Sequence, residues 1–278
     1  MIVAETPGGL QFVTQPAHAA LAGQFADNWG GDPIQPPDPP VAMSIAAYAH
    51  DTGWGAYDRH PRLGDDGAPI DFRGMPADPW IDLYEEGIDA VVEMDSYAGL
   101  LVSMHGAGLR RRRYGLSPSW PETPPAFEGF VDREETRQAR LANALREEGR
   151  LDESDVDLLA TLHESGAPPA GVERRLWDGY TLLQAWDALS LSFCVTSSPP
   201  GYGEVGPVPA GDAGTVSLSI EAADGRFRID PYPFEASPLV VSVPVRTVRT
   251  ESFEDEADLV RAYYRADREL REFRIVSG

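Results

Sequence analysis

The residues best suited to chemistry in this chain are a histidine and an aspartate that are adjacent, His50 and Asp51. They close an apolar stretch that is typical of a helix. Three more polar residues stand in other apolar, helix-like segments, namely His18, His105 and Asp187. Imidazoles and carboxylates that project inward from separate helices are what a helical bundle needs to hold a metal ion. The pattern therefore favours a metal site built from these five residues.

Each of these residues also has an ordinary structural explanation when it is considered alone. An unpaired carboxylate in the middle of a buried helix, such as Asp187, is costly unless it is protonated, hydrogen-bonded or bound to a cation. Asp187 could instead pair with an Arg or cap a neighbouring helix. His18 could be a hydrogen-bonded core residue. His50–Asp51 and His105 could stabilise the C-terminal ends of their helices.

The order of these residues resembles that of the HD-domain superfamily of metal-dependent enzymes. The likeness lies in His18, the His50–Asp51 pair and Asp187, each in a separate apolar segment. It implies that these residues bind a divalent metal ion and that His105 is a second-metal ligand or contacts the substrate. Asp51, next to a ligand, can bridge metals or orient a water. Superfamily members are mostly phosphohydrolases acting on nucleotides or phosphodiesters, and a minority are di-iron oxygenases.

Nearly the whole chain also resembles a family of bacterial and archaeal proteins that is defined only as a domain of unknown function. This second likeness implies no activity. The segments that carry it are Thr14-Gln15-Pro16-Ala17-His18, His50-Asp51-Thr52-Gly53-Trp54, Leu100-Leu101-Val102-Ser103-Met104-His105-Gly106 and Asp230-Pro231-Tyr232-Pro233-Phe234.

Together these features predict a metal-dependent hydrolase that acts on a phosphorylated small molecule or nucleotide. Imidazole and carboxylate ligands suit Mn, Fe, Zn, Co or Ni. Such a metal ion lowers the pKa of a bound water and polarises a phosphoryl oxygen. Arg110, Arg111 and Arg113 belong to a run of arginines after His105 and could hold an anionic substrate. A solvated run that pairs with acidic neighbours is the alternative for these arginines. A di-iron oxygenase and a non-catalytic metal- or ligand-binding protein stay open as alternative functions.

The charge of the chain is unusual. The 278 residues carry a formal net charge of −22, and all 23 basic residues are Arg. Because molar salt screens such a charge, the composition indicates a halophilic, cytoplasmic protein, although a codon bias towards Arg and Asp would give a similar composition. The acidity argues against nucleic-acid binding, and the sequence has no apolar run long enough for a membrane span. The single cysteine, Cys194, lies in an apolar segment and is expected to be buried and inert.

Periodicity predicts an α+β protein, in which a mainly helical, HD-like bundle carries a small antiparallel sheet. Residues 1–278 are expected to form a single domain, with a helical metal-site bundle at 15–200 and a β-rich subdomain at 1–14 and 211–278. An N-terminal hairpin over residues 1–14 should join the C-terminal strands. Residues 52–94 are rich in Gly, Pro, Asp and aromatic side chains and are predicted to be an irregular segment that forms a lid or wall over the site. The oligomeric state stays open.

Helices are expected near 15–29, 41–51, 95–104, 131–148, 152–164, 171–195 and 254–269, with strands near 215–221, 226–230, 239–248 and 273–276.

Overall fold

The computed structural model describes residues 1–32, 34–117, 124–172, 174–211, 214–250 and 252–278. Within these ranges the chain is an α+β protein, which confirms the predicted class. The sequence between His105 and Phe130 is rich in proline, and part of it, residues 118–123, lies outside the described residues.

The helices follow the predicted order, and two regions differ from the prediction. Thr14 caps the first helix as its sequence position suggests, because its side chain accepts a hydrogen bond from the backbone N–H of Ala17. The α-helices are α1 (Gln15–Asp27), α2 (Pro40–Ala49), α3 (Trp54–Tyr57), α4 (Ala77–Met94), α5 (Ser96–Arg110), α6 (Glu128–Glu147), α7 (Glu153–Ser165), α8 (Arg175–Cys194) and α9 (Glu256–Arg265). Short 3₁₀ helices cover Phe72–Gly74, Arg112–Gly115 and Pro125–Phe127.

The first difference lies at residues 52–94, where the prediction of irregular structure was wrong for the second half. The 18-residue helix α4 occupies that half. Its acidic residues and its glycine obscure the apolar stripe in the sequence. The stripe exists nonetheless, because Trp80, Tyr84, Ile88 and Val91 recur at helical spacing and are buried.

The second difference is the length of α5, which was predicted to end at His105. The helix continues for more than a turn beyond His105, through Gly106 and Gly108. A Cβ atom at Gly108 would overlap with the hydroxyl of Tyr180 on α8. Glycine therefore allows two helices to approach closely here, and His105 lies inside a helix instead of capping one.

The seven strands form one mixed sheet in the order β1-β2-β6-β7-β5-β4-β3. The N-terminal hairpin pairs with β6 and so joins the C-terminal strands, as predicted. The prediction of a small antiparallel sheet was wrong, because β7 inserts between β6 and β5 and runs parallel to β5. The first C-terminal strand, β3, was not predicted, since two prolines and a glycine mask its pattern. The strands are β1 (Ile2–Thr6), β2 (Gly9–Val13), β3 (Glu204–Pro209), β4 (Thr215–Ala223), β5 (Arg226–Asp230), β6 (Leu239–Val248) and β7 (Arg268–Ser277).

Helices α1 and α8 connect the sheet to the other helices. The side-chain amide of Gln24 on α1 accepts a hydrogen bond from the N–H of Ser242 on β6 (3.0 Å) and donates one to its carbonyl (2.9 Å). Phe193, near the end of α8, packs against Phe227 and Phe273 of the sheet, with ring centroids 5.0 and 4.8 Å away. These contacts hold the two helices in fixed positions, and both carry predicted site residues.

One continuous apolar cluster includes buried residues from Ile2 to Ile275, drawn from the helices and the sheet. Cys194 is buried in it, and burial raises the pKa of its thiol to about 12, so the thiol stays protonated. Among the described residues, no helix combines the length and apolarity needed to cross a membrane. The division into a helical bundle at 15–200 and a β-rich subdomain stays a prediction.

Candidate metal centre

Four of the five residues predicted to bind metal lie close together in the helical part. α1 supplies His18, the end of α2 supplies His50 and Asp51, and α8 supplies Asp187. Their exposed fractions are 1%, 2%, 3% and 9%, so all four lie in the interior. The described residues His18, His50 and Asp51 form a buried group that could hold a metal ion, with ligand atoms within 4.8 Å of one another.

The distances between the polar atoms have the scale of a coordination shell. Nε2 of His18 lies 3.2 Å from Nε2 of His50 and 3.0 Å from Oδ2 of Asp51. Oδ1 of Asp187 lies 3.5 Å from the first nitrogen and 3.6 Å from the second. Atoms about 2.1 Å from one ion are about 3.0 Å apart in an octahedral shell and about 3.4 Å apart in a tetrahedral one. Nε2 of His50 lies 3.7 Å from Oδ2 of Asp51, beyond both ideal values, so the group would have to contract to enclose one ion.

Hydrogen bonds behind the rings determine which nitrogen of each histidine faces this point. Ser190 donates its hydroxyl proton to the carbonyl of Asp187 (2.9 Å) and therefore accepts a hydrogen bond from Nδ1 of His18 (2.7 Å). Nδ1 of His50 donates to the carbonyl of Ala47 (2.9 Å). Each neutral ring thus carries its proton on Nδ1 and presents the Nε2 lone pair, as metal-binding histidines do.

The result is a group of acceptors with no donor among them when both rings are neutral. Two nitrogen lone pairs face each other, and two carboxylate oxygens face the same nitrogens. Such a group is unfavourable in the interior unless a positive charge lies at its centre. Either a proton or a metal ion can supply that charge.

The pKa values of the site agree with this reading. Burial lowers the pKa of His50, but the charge of Asp51 and the hydrogen bond and charge of Asp187 outweigh burial and raise the pKa to about 9. Burial would raise the pKa of Asp187, whereas its hydrogen bond with His50 and the nearby imidazoles hold it well below its ordinary value. Burial likewise opposes ionisation of Asp51, and His50 and His18 lower its pKa. Both carboxylates are therefore ionised at neutral pH.

Tyr84, on α4, is a site residue that the sequence analysis missed. Its hydroxyl donates a hydrogen bond to Oδ1 of Asp51 (3.1 Å), which leaves Oδ2 for the common point. The ring of Tyr84 stacks on Trp80 with a centroid distance of 4.0 Å. The helical spacing of Trp80 and Tyr84 was the available signal, and it was hidden by the acidic residues of α4.

The site opens into a cavity of about 260 Å³. The described residues of its wall come from α1, α4, α5, α8 and the connection before α4. They are Gln15, His18, Asp51, Phe72, Arg73, Trp80, Tyr84, His105, Leu109, Arg110, Asp187 and Leu191.

This chain matches, over residues 1–250, the model of a protein family of unknown function, DUF3891. The chain belongs to this family. The match includes every residue of the candidate metal centre and of the cavity wall, so the site lies within the family's own region. No curated protein and no solved structure matches the chain.

His105 lies beside the four clustered residues in this DUF3891 protein. It is 1% exposed and lines the cavity, and its ring packs edge-on to that of His50 at a centroid distance of 5.2 Å. Its Nδ1 is hydrogen-bonded to the side-chain amide of Gln184 on α8 (2.9 Å). Burial, opposed by the charge of Asp187, lowers the pKa of His105 to about 4, so its ring is neutral at pH 7.

The arginines that follow His105 in the sequence lie in different surroundings. Arg110 lines the cavity. Arg111 points elsewhere, with its guanidinium 3.3 Å from Glu135 and bonded to the carbonyl of His163. Arg113 is buried and donates a hydrogen bond to Oε1 of Gln184 (3.2 Å). Of the three arginines predicted to bind substrate, only Arg110 therefore lies at the cavity.

Proposed function

We propose that the protein is a metal-dependent hydrolase of the HD-domain type that acts on a phosphorylated small molecule or nucleotide. The observation that carries the proposal is a buried cluster of acceptor atoms, in which carboxylate oxygens of Asp51 and Asp187 lie 3.0 to 3.7 Å from the Nε2 atoms of His18 and His50. The order of the residues supports the HD-type assignment, because a histidine, a His-Asp pair and an aspartate come from α1, the end of α2 and α8 in that sequence.

The donor set suits a divalent transition metal ion. Neutral imidazole and carboxylate together favour Mn, Fe, Zn, Co or Ni, whereas Mg and Ca prefer oxygen ligands alone. When bound, the ion would activate a water and polarise a phosphoryl oxygen. His18, His50, Asp51 and Asp187 would hold it, and the hydrogen bond from Tyr84 would keep Asp51 oriented.

The cavity wall supports an anionic substrate. The guanidinium of Arg110 lies 4.0 Å from the ring centroid of Trp80 and 3.8 Å from that of Phe127. Its buried Nε has no hydrogen-bond partner among the described residues. The buried Oε1 of Gln15, also in the cavity wall, is equally unsatisfied within the described part. A ligand with an anionic group and a hydroxyl would satisfy both groups, and the cavity volume of about 260 Å³ favours a small one.

Metal analysis of the purified protein tests the first half of the proposal. Wild-type protein is expected to bind about one equivalent of Co²⁺ or Zn²⁺ per chain, and His18→Ala and His50→Ala should each abolish tight binding. His60→Ala is the matched control, because His60 is exposed and pairs with Glu256 far along the chain. Unchanged metal content in the His18 and His50 variants would overturn the proposal.

A panel of phosphomonoesters and phosphodiesters tests the second half. The metal-loaded protein should release phosphate or alcohol from at least one class, and the His50→Ala variant should not. Oxygen uptake with an iron-loaded protein would favour the oxygenase alternative. Tight metal binding without turnover of any compound would favour a binding protein.

A further inference from the structure

We propose that His105 is a neutral hydrogen-bond donor to the oxyanion of the substrate, held in one tautomer by Gln184 and Arg113, and that it neither binds the metal nor transfers a proton. The identity of the acceptor rests on the proposed function above. The tautomer follows from three hydrogen-bonding groups in the structure and can be tested separately.

Arg113 determines the orientation of Gln184, because a guanidinium can only donate hydrogen bonds. Its Nε lies 3.2 Å from the Oε1 atom of Gln184, so the amide oxygen must face the arginine. The NH₂ group of Gln184 then points to Nδ1 of His105, at 2.9 Å, and donates to it. Nδ1 of His105 therefore accepts a hydrogen bond, and the proton of the neutral ring is on Nε2.

The donor and acceptor roles in the hydrogen bonds from Arg113 through Gln184 to His105 cannot readily reverse. Exposed fractions of 5% for Arg113, 2% for Gln184 and 1% for His105 show that water cannot replace a lost partner. Rotating the amide of Gln184 by 180° would place its NH₂ group against the donor of Arg113. Protonating Nδ1 of His105 would place two donors face to face.

The backbone conformation around Arg113 also supports a specific placement of its guanidinium against Gln184. Arg112, Arg113 and Tyr114 have φ values of 51°, 54° and 47°, in the left-handed region that side chains other than glycine rarely adopt. This turn follows directly after α5 and leaves Arg113 buried while Arg112 is exposed. A strained turn that brings a guanidinium to Gln184 indicates that the position of Arg113 matters.

The Nε2–H of His105 is left for a ligand. His105 lines the cavity with Arg110 and Asp187, and its Nε2 forms no hydrogen bond within the described part of the chain. A protonated ring nitrogen has no lone pair for a metal ion. Loss of its proton would create an imidazolate, so a neutral His105 is also unsuited to proton transfer. A neutral imidazole N–H can still stabilise a developing oxyanion in a dry site.

Nuclear magnetic resonance of the ¹⁵N-labelled histidine rings tests the tautomer directly in the full-length protein. His105 is expected to carry its proton on Nε2 at neutral pH, whereas His18 and His50 in the zinc-loaded protein carry theirs on Nδ1. Gln184→Glu should move the His105 proton to Nδ1, because a carboxylate accepts from both Arg113 and the ring. Gln24→Glu, the same change between α1 and β6, should leave the ring signals of His105 unaltered. A His105 ring with an unprotonated Nε2 in the wild type would overturn the proposal.

Binding of inorganic phosphate to the zinc-loaded protein tests the role without any assay of turnover. His105→Gln keeps an N–H donor and should weaken phosphate binding only slightly, whereas His105→Leu should weaken it by about tenfold or more. Both variants should keep the wild-type zinc content. Loss of zinc in His105→Gln would show that His105 is a metal ligand and would overturn the proposal. Unchanged phosphate affinity in a folded His105→Leu variant would also overturn it. Failure of the hydrolase proposal would appear differently, as an absence of zinc binding or of turnover in the wild type.

Discussion

The Nε2 atoms of His18 and His50 face each other at 3.2 Å, although the two residues belong to different helices. Each ring donates its Nδ1 proton to a partner behind it, so neither neutral ring has a proton to offer the other. This relationship distinguishes the site from a pair of ordinary core histidines, whose inward nitrogens would be satisfied by donors or by water. The opposed lone pairs require a shared cation, which is either a proton or a metal ion.

Metal affinity should increase with pH up to about 9. The pKa of His50 is raised to about 9, so the metal-free protein holds a proton at the site at pH 7. A metal ion must displace that proton, and its affinity should rise about tenfold per pH unit until the proton is gone. Calorimetric titration with Co²⁺ in buffers of different ionisation enthalpy should count about one proton released at pH 7. Affinity that is constant between pH 6 and 9 would contradict the assignment.

Ser190→Ala should weaken metal binding without removing a ligand. The hydroxyl of Ser190 accepts the Nδ1 proton of His18 and so keeps the Nε2 lone pair directed at the site. Loss of such a supporting group typically lowers metal affinity by about 10- to 100-fold. Ser192→Ala is a suitable control, since Ser192 is buried two residues further along and its hydroxyl donates to the carbonyl of Ala188. Equal affinities for the two variants would show that the tautomer of His18 is unimportant.

Arg110→Gln should weaken binding of inorganic phosphate to the Co²⁺-loaded protein by about tenfold, because one charged hydrogen-bond donor is lost from the cavity. Arg111→Gln changes the adjacent residue, whose guanidinium lies against Glu135 instead, and should have little effect. Calorimetry on both variants gives the comparison. A larger effect at Arg111 would place the anion outside the cavity.

Gly108→Ala should destabilise the protein by about 1–3 kcal/mol, because the new methyl group would overlap with the hydroxyl of Tyr180 across the α5–α8 contact. Gly129→Ala on α6 should be neutral or stabilising by up to about 1 kcal/mol, since alanine favours helices and only the flexible end of Arg133 lies nearby. Urea unfolding of the two metal-free variants measures the difference. Similar stabilities would mean that the two helices can separate at little cost.

Thermal stability should rise with potassium chloride concentration. A net charge of −22 repels itself at low ionic strength. The screening length falls from about 8 Å at 0.15 M salt to about 3 Å at 1 M, which removes most of that repulsion. Melting temperatures measured from 0.15 M to 2 M KCl test the halophilic interpretation. A melting temperature that does not increase would favour codon bias as the origin of the acidic composition.

Much of the local structure could be predicted from the sequence. Apolar stripes located most helices, Thr14 marked the start of α1, and the hairpin turn at the N-terminus was recognisable. The four residues that converge were also identified, because polar residues inside apolar helical stripes must point inward. Side-chain direction along a helix is set by local periodicity, which a sequence displays. Where charged residues interrupted the stripe, as around Tyr84 in α4, the same approach failed.

The sequence by itself therefore determined the polar residue types of the candidate site, the helices that carry them and the acidic composition of this protein. Only the tertiary structure decided that carboxylate oxygens of Asp51 and Asp187 lie 3.0 to 3.7 Å from the Nε2 atoms of His18 and His50. It also decided that the adjacent residues Arg110 and Arg111 lie in different surroundings, Arg110 in the cavity wall and Arg111 against Glu135. The physical reason is that distances between helices depend on how their side chains pack across the core. That packing involves residues far apart in the chain, and no local pattern encodes it.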